Sequence, residues 1–479
     1  MGELITLSGQ RAQQQCRVQS VKVMTSVGRT SIFEHLHARS SPTMRMNTSD
    51  QAALLPTMYG KVNFSSEPER VAGSISESAL REDFAQFKSA HAEAPELVAR
   101  MRSYTMLGDI VADAYAALIP EFGFRRLVAL LMQACEKGVE NVDGAPDELV
   151  ALIRDMERIP SWLNMELVER GAELERVPAA IVAPWAIRGG LIATFMNKYA
   201  ALPMALTGTL SNSLAARRVK ETATFFSTSV LPGALGRFGE GFKAAAMVRL
   251  MHSMVRFNAL RSGRWNDEVY GIPIPQLDQM PAGLTGVSLL SMRVLKSGRA
   301  EFTDDERARV EFSRYRCFLL GLPEDLLADT PQGIIDTMAA RQSSLRSGFD
   351  DDTCGALVRA TMSARLAPED SIVNDIRERF EKSFSKVFFA RNFLGGDTGR
   401  SAGIGVTISR ADRLRAGLVV LLIVVQLKAI QLLSKLPMMR ARVDKSLINK
   451  LRRQLASYGH AEFVTDPSEY KPVESAESL

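Results

Sequence analysis

The stretch from Leu214 to Arg256 constrains this chain more than any other. Two segments, apolar at helical spacing, each carry a small polar set on the face that would be buried. The first is Arg217-Arg218-Val219-Lys220-Glu221-Thr222; the second is Val248-Arg249-Leu250-Met251-His252-Ser253-Met254-Val255-Arg256. Apolar residues at a 3.6 period predict two helices, and titratable groups on buried faces mark where chemistry is usually housed. Between them, Pro232-Gly233-Ala234-Leu235-Gly236 supplies the backbone freedom for a corner that turns the second helix back on the first. These glycines do not make a phosphate loop, because no strand precedes them and no Gly-Lys-Ser/Thr follows.

On the first helix Arg218 and Thr222 are four apart and Glu221 is three from Arg218, so the three share a face with Phe225 and Phe226. On the second, His252 shares its face with Ala245, Val248, Val255 and Ala259, bordered by Arg249 and Arg256. An imidazole in that setting suits ligation of a flat apolar cofactor, with the arginines meeting its carboxylates. The same residues have plainer readings. His252 is then a satisfied core side chain, Arg218 with Glu221 an ion pair worth about 0.2–0.5 kcal/mol, and Thr222 a hydroxyl returned to the preceding turn. Of the five histidines, His35, His37, His91, His252 and His460, only His252 lies in the apolar middle of the chain.

Hydrophobic residues make up 46% of the 479, enough for a substantial core. Long stretches rich in Ala, Leu, Met, Arg and Glu, with little period-2 alternation, predict a mostly helical fold with few, short strands. A net charge of +5 is mild at this length and interleaved with acids, so nucleic-acid binding is not indicated. Cys16, Cys135, Cys317 and Cys354 are too scattered for a metal spacing or a disulfide framework, which points to a reducing, cytoplasmic setting.

Arg-x-x-x-Thr followed thirty residues later by the histidine of Val-Arg-Leu-x-His-x-x-Val-Arg resembles the haem-b oxygenases that include the latex-clearing rubber oxygenases and the MpaB-type oxygenases. Further landmarks in the same order are Gly108-Asp109, Ile159-Pro160-Ser161-Trp162, Glu169-Arg170-Gly171, Thr207-Gly208, Trp265, Tyr270-Gly271-Ile272-Pro273-Ile274, and Tyr315-Arg316 before Gly321-Leu322-Pro323. The resemblance spans roughly Gly108 to Pro331. It implies an all-α, globin-like multi-helix bundle around a buried haem pocket, with haem b as cofactor and His252 as proximal iron ligand. Arg218, Thr222 and Glu221 would be the catalytic set on the oxygen side, and Arg249, Arg256 and Arg218 the residues that hold the cofactor. The substrates implied are dioxygen and a lipophilic, isoprenoid-like unsaturated molecule. Two positions depart from the rubber oxygenases: Glu221 stands where they carry a lysine, and Leu202 where they carry a glutamate sixteen residues before the arginine. Both departures bear on rubber cleavage more than on haem binding. They keep open a second reading, a non-catalytic haem- or lipid-binding protein at a membrane surface.

Along the chain, residues 1–70 read as a poorly ordered arm, 71–460 as one helical oxygenase-like domain, and 461–479 as an acidic flexible tail. The His35–His37 pair reads as a solvated loop, since a metal needs more ligands. Within the domain, helices are predicted over 108–119, 123–137, 146–158 and 164–174, with a capping box at Thr303 and Glu306 opening another. Ala416 to Val425 is apolar for ten residues, short of the roughly 20 a spanning helix needs, and is expected to be a buried helix. The alternative is contact with a membrane surface through 414–453, where Lys435, Arg440, Arg442, Lys445, Lys450, Arg452 and Arg453 face one acid, Asp444.

Overall fold

The computed structural model describes residues 48–207, 212–367 and 370–459. Among these residues no strand forms, and two isolated bridges, Val71 with Leu345 and Ser78 with Arg346, are the extent of strand-like pairing. The fold is the all-α, multi-helix arrangement expected from the sequence.

Packing begins earlier than expected. Two short helices, α1 (Asp50–Leu54) and α2 (Pro56–Tyr59), bury Leu54, Leu55, Met58 and Tyr59 in a cluster with Ile110, Phe257 and Ile272. The arm boundary at 70 therefore does not hold for residues 48–70: four apolar side chains within six positions suffice to dock two turns of helix, although they are too few to show a period. His35, His37, His460 and the 461–479 tail lie outside the described residues.

The next helices are α3 (Pro95–Ser103), α4 (Ile110–Ala116), α5 (Phe124–Lys137) and α6 (Asp147–Glu157). α5 runs between Gly123 and Gly138, whose positive φ angles of 74° and 89° end the helix at each side. α7 (Met165–Ile181) continues well past the expected end at Leu174 and breaks by 89° at Val182 into α8 (Ala183–Ile192). Pro184 sits in the first turn of α8, where its missing N–H costs nothing. After α9 (Lys198–Leu206) come the two helices of the central hairpin, α10 (Asn212–Ser229) and α11 (Glu240–Arg261). The proline-rich stretch from Trp265 to Pro281 contains a short helix, Asp267–Tyr270, and then opens α12, which spans Gln276–Lys296. α13 (Asp304–Leu319) opens on the predicted capping box, Thr303 with Glu306. The chain ends in α14 (Pro331–Ser344), α15 (Ala356–Ser363), α16 (Ile372–Phe393), α17 (Arg410–Ser434) and α18 (Pro437–Tyr458).

α11 packs on α10, α4 and α5, while α7 lies along α13 and α8 along α16. Two glycines make the long contacts possible. A Cβ on Gly171 would fall on the Ala308 carbonyl of α13, and one on Gly189 would fall on the Ser385 carbonyl of α16. Arg188, on the same α8, is fully buried and paired with Glu381 at 3.0 Å.

α17 departs from the expectation of a buried helix. Ala416, Val419 and Ile423 are buried on the side toward α16, but Leu414, Leu418, Leu421, Val425 and Leu432 are 49–69% exposed or more. The apolar run wraps the whole circumference of the helix, whereas only a narrow stripe of it finds a neighbour. By length and composition α17 is the one unbent helix among the described residues apolar enough to cross a membrane.

Candidate functional site

The corner after α10 closes on itself through Phe242 N–H donating to the Ala234 carbonyl at 2.9 Å, with Gly233 at φ 65°. It returns the chain so that α11 packs along α10. His252 is thereby brought near Arg218, whose charge acts on the imidazole. The ring keeps some accessible surface while Leu250, Met251 and Ser253 beside it are buried.

Burial first, then the charges of Arg256 and Arg218, push His252 down from 6.5 to about 4, so the imidazole is neutral at physiological pH. Its Nδ1 lies 3.3 Å from Oε1 of Gln279 on α12. Gln279 donates through Nε2 to Gln276 Oε1 at 2.8 Å, which leaves Oε1 to accept from the ring. The network thus assigns the ring proton to Nδ1 and the free lone pair to Nε2.

Arg249 and Arg256 do not present free guanidinium groups to a ligand. Arg249 is bidentate to Asp109, both contacts at 2.7 Å, and also donates to Asp155 at 2.9 Å. Arg256, with no exposed side chain, pairs with Asp113 and donates to the Pro273 carbonyl at 2.9 Å. Asp109 and Asp113 are four apart on α4, and Asp109 also caps it. The expectation that these arginines meet a cofactor's carboxylates finds no support in this arrangement, since protein carboxylates already take their donors. They pin α11 to α4 on either side of His252. Burial pushes Asp113 up to about 6 against the opposing pull of Arg256, and Tyr59 donates to the same carboxylate.

On α10, Glu221 is buried and accepts from Arg217 at 2.8 Å and from Arg218 at 3.0 Å, one guanidinium on each oxygen. Of its two readings, member of a catalytic set or ion-pair partner of Arg218, the contacts are those of the ion pair, extended to Arg217. Arg218 is 22% exposed and Thr222 half-buried one turn on, followed on the same face by Phe226. Residues that sequence reasoning missed are Gln279, Asp113 and Tyr59. Two acids spaced i,i+4, Asp109 at the N-cap and Asp113 inside the otherwise apolar Ile110–Ala116, were the available signal for buried ion pairing.

Among the described residues no three His, Cys, Asp or Glu side chains come together as a metal site. The donor set at His252 is a single neutral imidazole, which is what a porphyrin iron takes from a protein; an iron held by side chains alone needs more ligands. This single-imidazole donor set is compatible with a porphyrin iron.

A family profile described as "ER-bound oxygenase mpaB/B'/Rubber oxygenase, catalytic domain" matches residues 180–424. No curated protein sequence matches the chain. Among solved structures, the chain is similar to latex clearing protein LCP in the closed state, at 19% identity and a TM-score of 0.49, over 74% of this chain and 91% of that one.

Proposed function

Since the chain belongs to the family of mpaB/B′ and rubber oxygenase catalytic domains and is thus an oxygenase, an oxidoreductase, we propose that it uses haem b to oxygenate a lipophilic, isoprenoid-like unsaturated substrate. The observation that carries this reading is the neutral His252 imidazole, oriented through Nδ1 by Gln279 with Nε2 left to ligate. Bound haem would supply the iron at which dioxygen is reduced. Arg218 and Thr222 would line the oxygen side of that group, offering a positive charge and a hydroxyl suited to developing negative charge. Glu221 holds Arg218 and Arg217 in place as their shared counter-ion. Arg249 and Arg256 act as positioning residues, fixing the rotation of α11 about its axis so that His252 faces α10 and α12.

The lipophilic substrate is supported by α17, whose exposed leucines and valines are followed by the basic α18. Such a pair suits the surface of an anionic bilayer, where an apolar substrate is concentrated. Free thiols at Cys135, Cys317 and Cys354 support a cytoplasmic location facing that surface. The domain we assign runs from at least residue 48, through the 71–460 body, to the end of α18.

The test is optical. Protein purified with haem added gives a strong Soret band, and His252→Ala, folded by circular dichroism, loses it. A His252→Ala protein that retains an unchanged band ends the assignment. Dioxygen uptake with polyprenoid or other unsaturated lipids separates turnover from mere binding.

A further inference from the structure

A crevice of about 1070 Å³ opens between α7, α12, α13, α17 and α18, and His252, Arg218 and Thr222 are not among its lining residues. It is at the upper end of the roughly 300–1,000 Å³ typical of small-molecule sites. Its walls are largely aliphatic, with Leu174 of α7, Val287 and Leu290 of α12, and Leu427 and Ile430 of α17 among them. One wall is therefore the inner side of the helix whose outer side is exposed and apolar.

The charges around the crevice do not balance at its inner end. Each lining acid has an arginine: Glu173 pairs with Arg170 at 2.7 Å, Glu175 with Arg309, Asp444 with Arg176 at 2.9 Å, and Glu306 with Arg299 at 2.8 Å. Arg316 of α13 has no such partner among the described residues. Its Nε is buried without a hydrogen-bond acceptor, and its guanidinium rests against the rings of Phe226 at 4.8 Å and Phe312 at 5.1 Å. A buried guanidinium N–H without an acceptor costs free energy, and an external anion that accepts from it offsets that cost. Burial also depresses the Arg316 guanidinium below its ordinary value, against the smaller opposing pull of Cys317 and Glu175.

We propose that this crevice binds a long-chain fatty acid, its carboxylate on Arg316 and its chain along the aliphatic wall toward α17. A monoanion matches one unpaired guanidinium, and the planar carboxylate matches its fork. The long apolar wall selects a chain, and the flanking α17 gives that chain a route from the bilayer surface. Haem ligation by His252 plays no part in this binding, so the two proposals stand or fall separately.

The experiment is isothermal titration of the full-length protein with oleate and with methyl oleate, both below their aggregation concentrations. Oleate should bind, and the ester, equal in chain but uncharged, about tenfold or more weakly, the scale of one charge-assisted hydrogen-bonded pair. Arg316→Gln should weaken oleate by a similar factor and leave the ester unchanged. Gly286→Trp is the second variant: Gly286 lines the crevice and a Cβ there meets open space, so the larger ring fills the cavity without straining the helix. It should abolish binding of both ligands. The proposal is overturned if Arg316→Gln binds oleate as the native chain does. It is equally overturned if that variant loses the Soret band with oleate affinity intact, since the guanidinium would then serve a porphyrin carboxylate.

Discussion

Replacing His252 by leucine removes a titrating group from the one place where the fold holds an imidazole neutral. In the haem-free protein its titration is pushed from 6.5 to about 4, chiefly by burial and then by Arg256 and Arg218. A group whose protonation is harder in the folded than in the unfolded chain contributes stability above its unfolded value. That contribution is lost as pH falls through the window from about 6.5 to about 4. At about 1.36 kcal/mol per pH unit, the difference is worth roughly 3 kcal/mol, and the ring's residual accessibility lowers it to about 2–3 kcal/mol. Leucine also leaves Gln279 Oε1 without the imidazole, an offset that does not depend on pH. The measurement is urea unfolding of native and His252→Leu haem-free protein at half-unit steps from pH 7.5 to 4. The native chain's stability relative to the variant should decline by about 2–3 kcal/mol over the interval. Other groups, Asp113 with its raised titration near 6 among them, cancel in the comparison. A difference that stays flat to within about 0.5 kcal/mol means the imidazole is solvated in the folded state, and the account of His252 as a desolvated ligand is wrong.

Arg249→Met leaves the Asp109 carboxylate buried without its bidentate partner, and thermal or urea unfolding should show a loss of about 3–5 kcal/mol. The double variant Arg249→Met, Asp109→Leu should recover much of that loss. Gln279→Glu replaces a neutral acceptor on His252 Nδ1 by a charged one, which makes the imidazole a stronger donor. In haem-loaded protein the reduction potential should fall, measured by spectroelectrochemistry; an unchanged potential would mean that Gln279 does not reach the ring. Leu418→Asp with Leu421→Asp places two charges on the exposed face of α17, at positions 49% and 59% accessible. Co-sedimentation with phosphatidylserine vesicles should drop while the melting temperature is unchanged, and equal sedimentation would exclude this helix as the contact.

Legibility followed the range of the interactions. The α10–α11 hairpin, the capping box at Thr303 and the buried faces of α5 and α6 are local, so period and cap residues sufficed to anticipate them. His252, Arg218 and Thr222 could be picked out as the proposed site because their spacing along two adjacent helices is itself a pattern. The partners of Arg249 and Arg256 were not: Asp109 and Asp113 lie about 140 residues earlier, and nothing local distinguishes an arginine kept for a ligand from one already spoken for by a distant carboxylate. Gln279 was hidden for another reason, since Pro273, Pro275 and Pro281 make its surroundings read as a loop although the helix starts between them. On α17 the pattern was read correctly as apolar and wrongly as buried, because composition reports what a helix can bury and not whether the fold supplies a neighbour.

The buried charges around α11 fit together once the arginines are seen as structural. A helix whose first turns are buried through small residues, Ala244, Ala245 and Ala246 among them, can rotate about its axis at little packing cost, which would aim His252 differently in each state. Arg249 and Arg256, seven residues apart and thus on one face, each reach one of two carboxylates four apart on α4. A slip of one residue in either helix turns its charges by about 100° and would strand them, at a cost of about 3–5 kcal/mol for each broken pair. The pairs thus select a single rotation of α11, the one in which Nδ1 meets Gln279. Arginines beside the histidine are therefore needed whether or not any of them touches a cofactor, and binding energy for a porphyrin's carboxylates has to come from other groups.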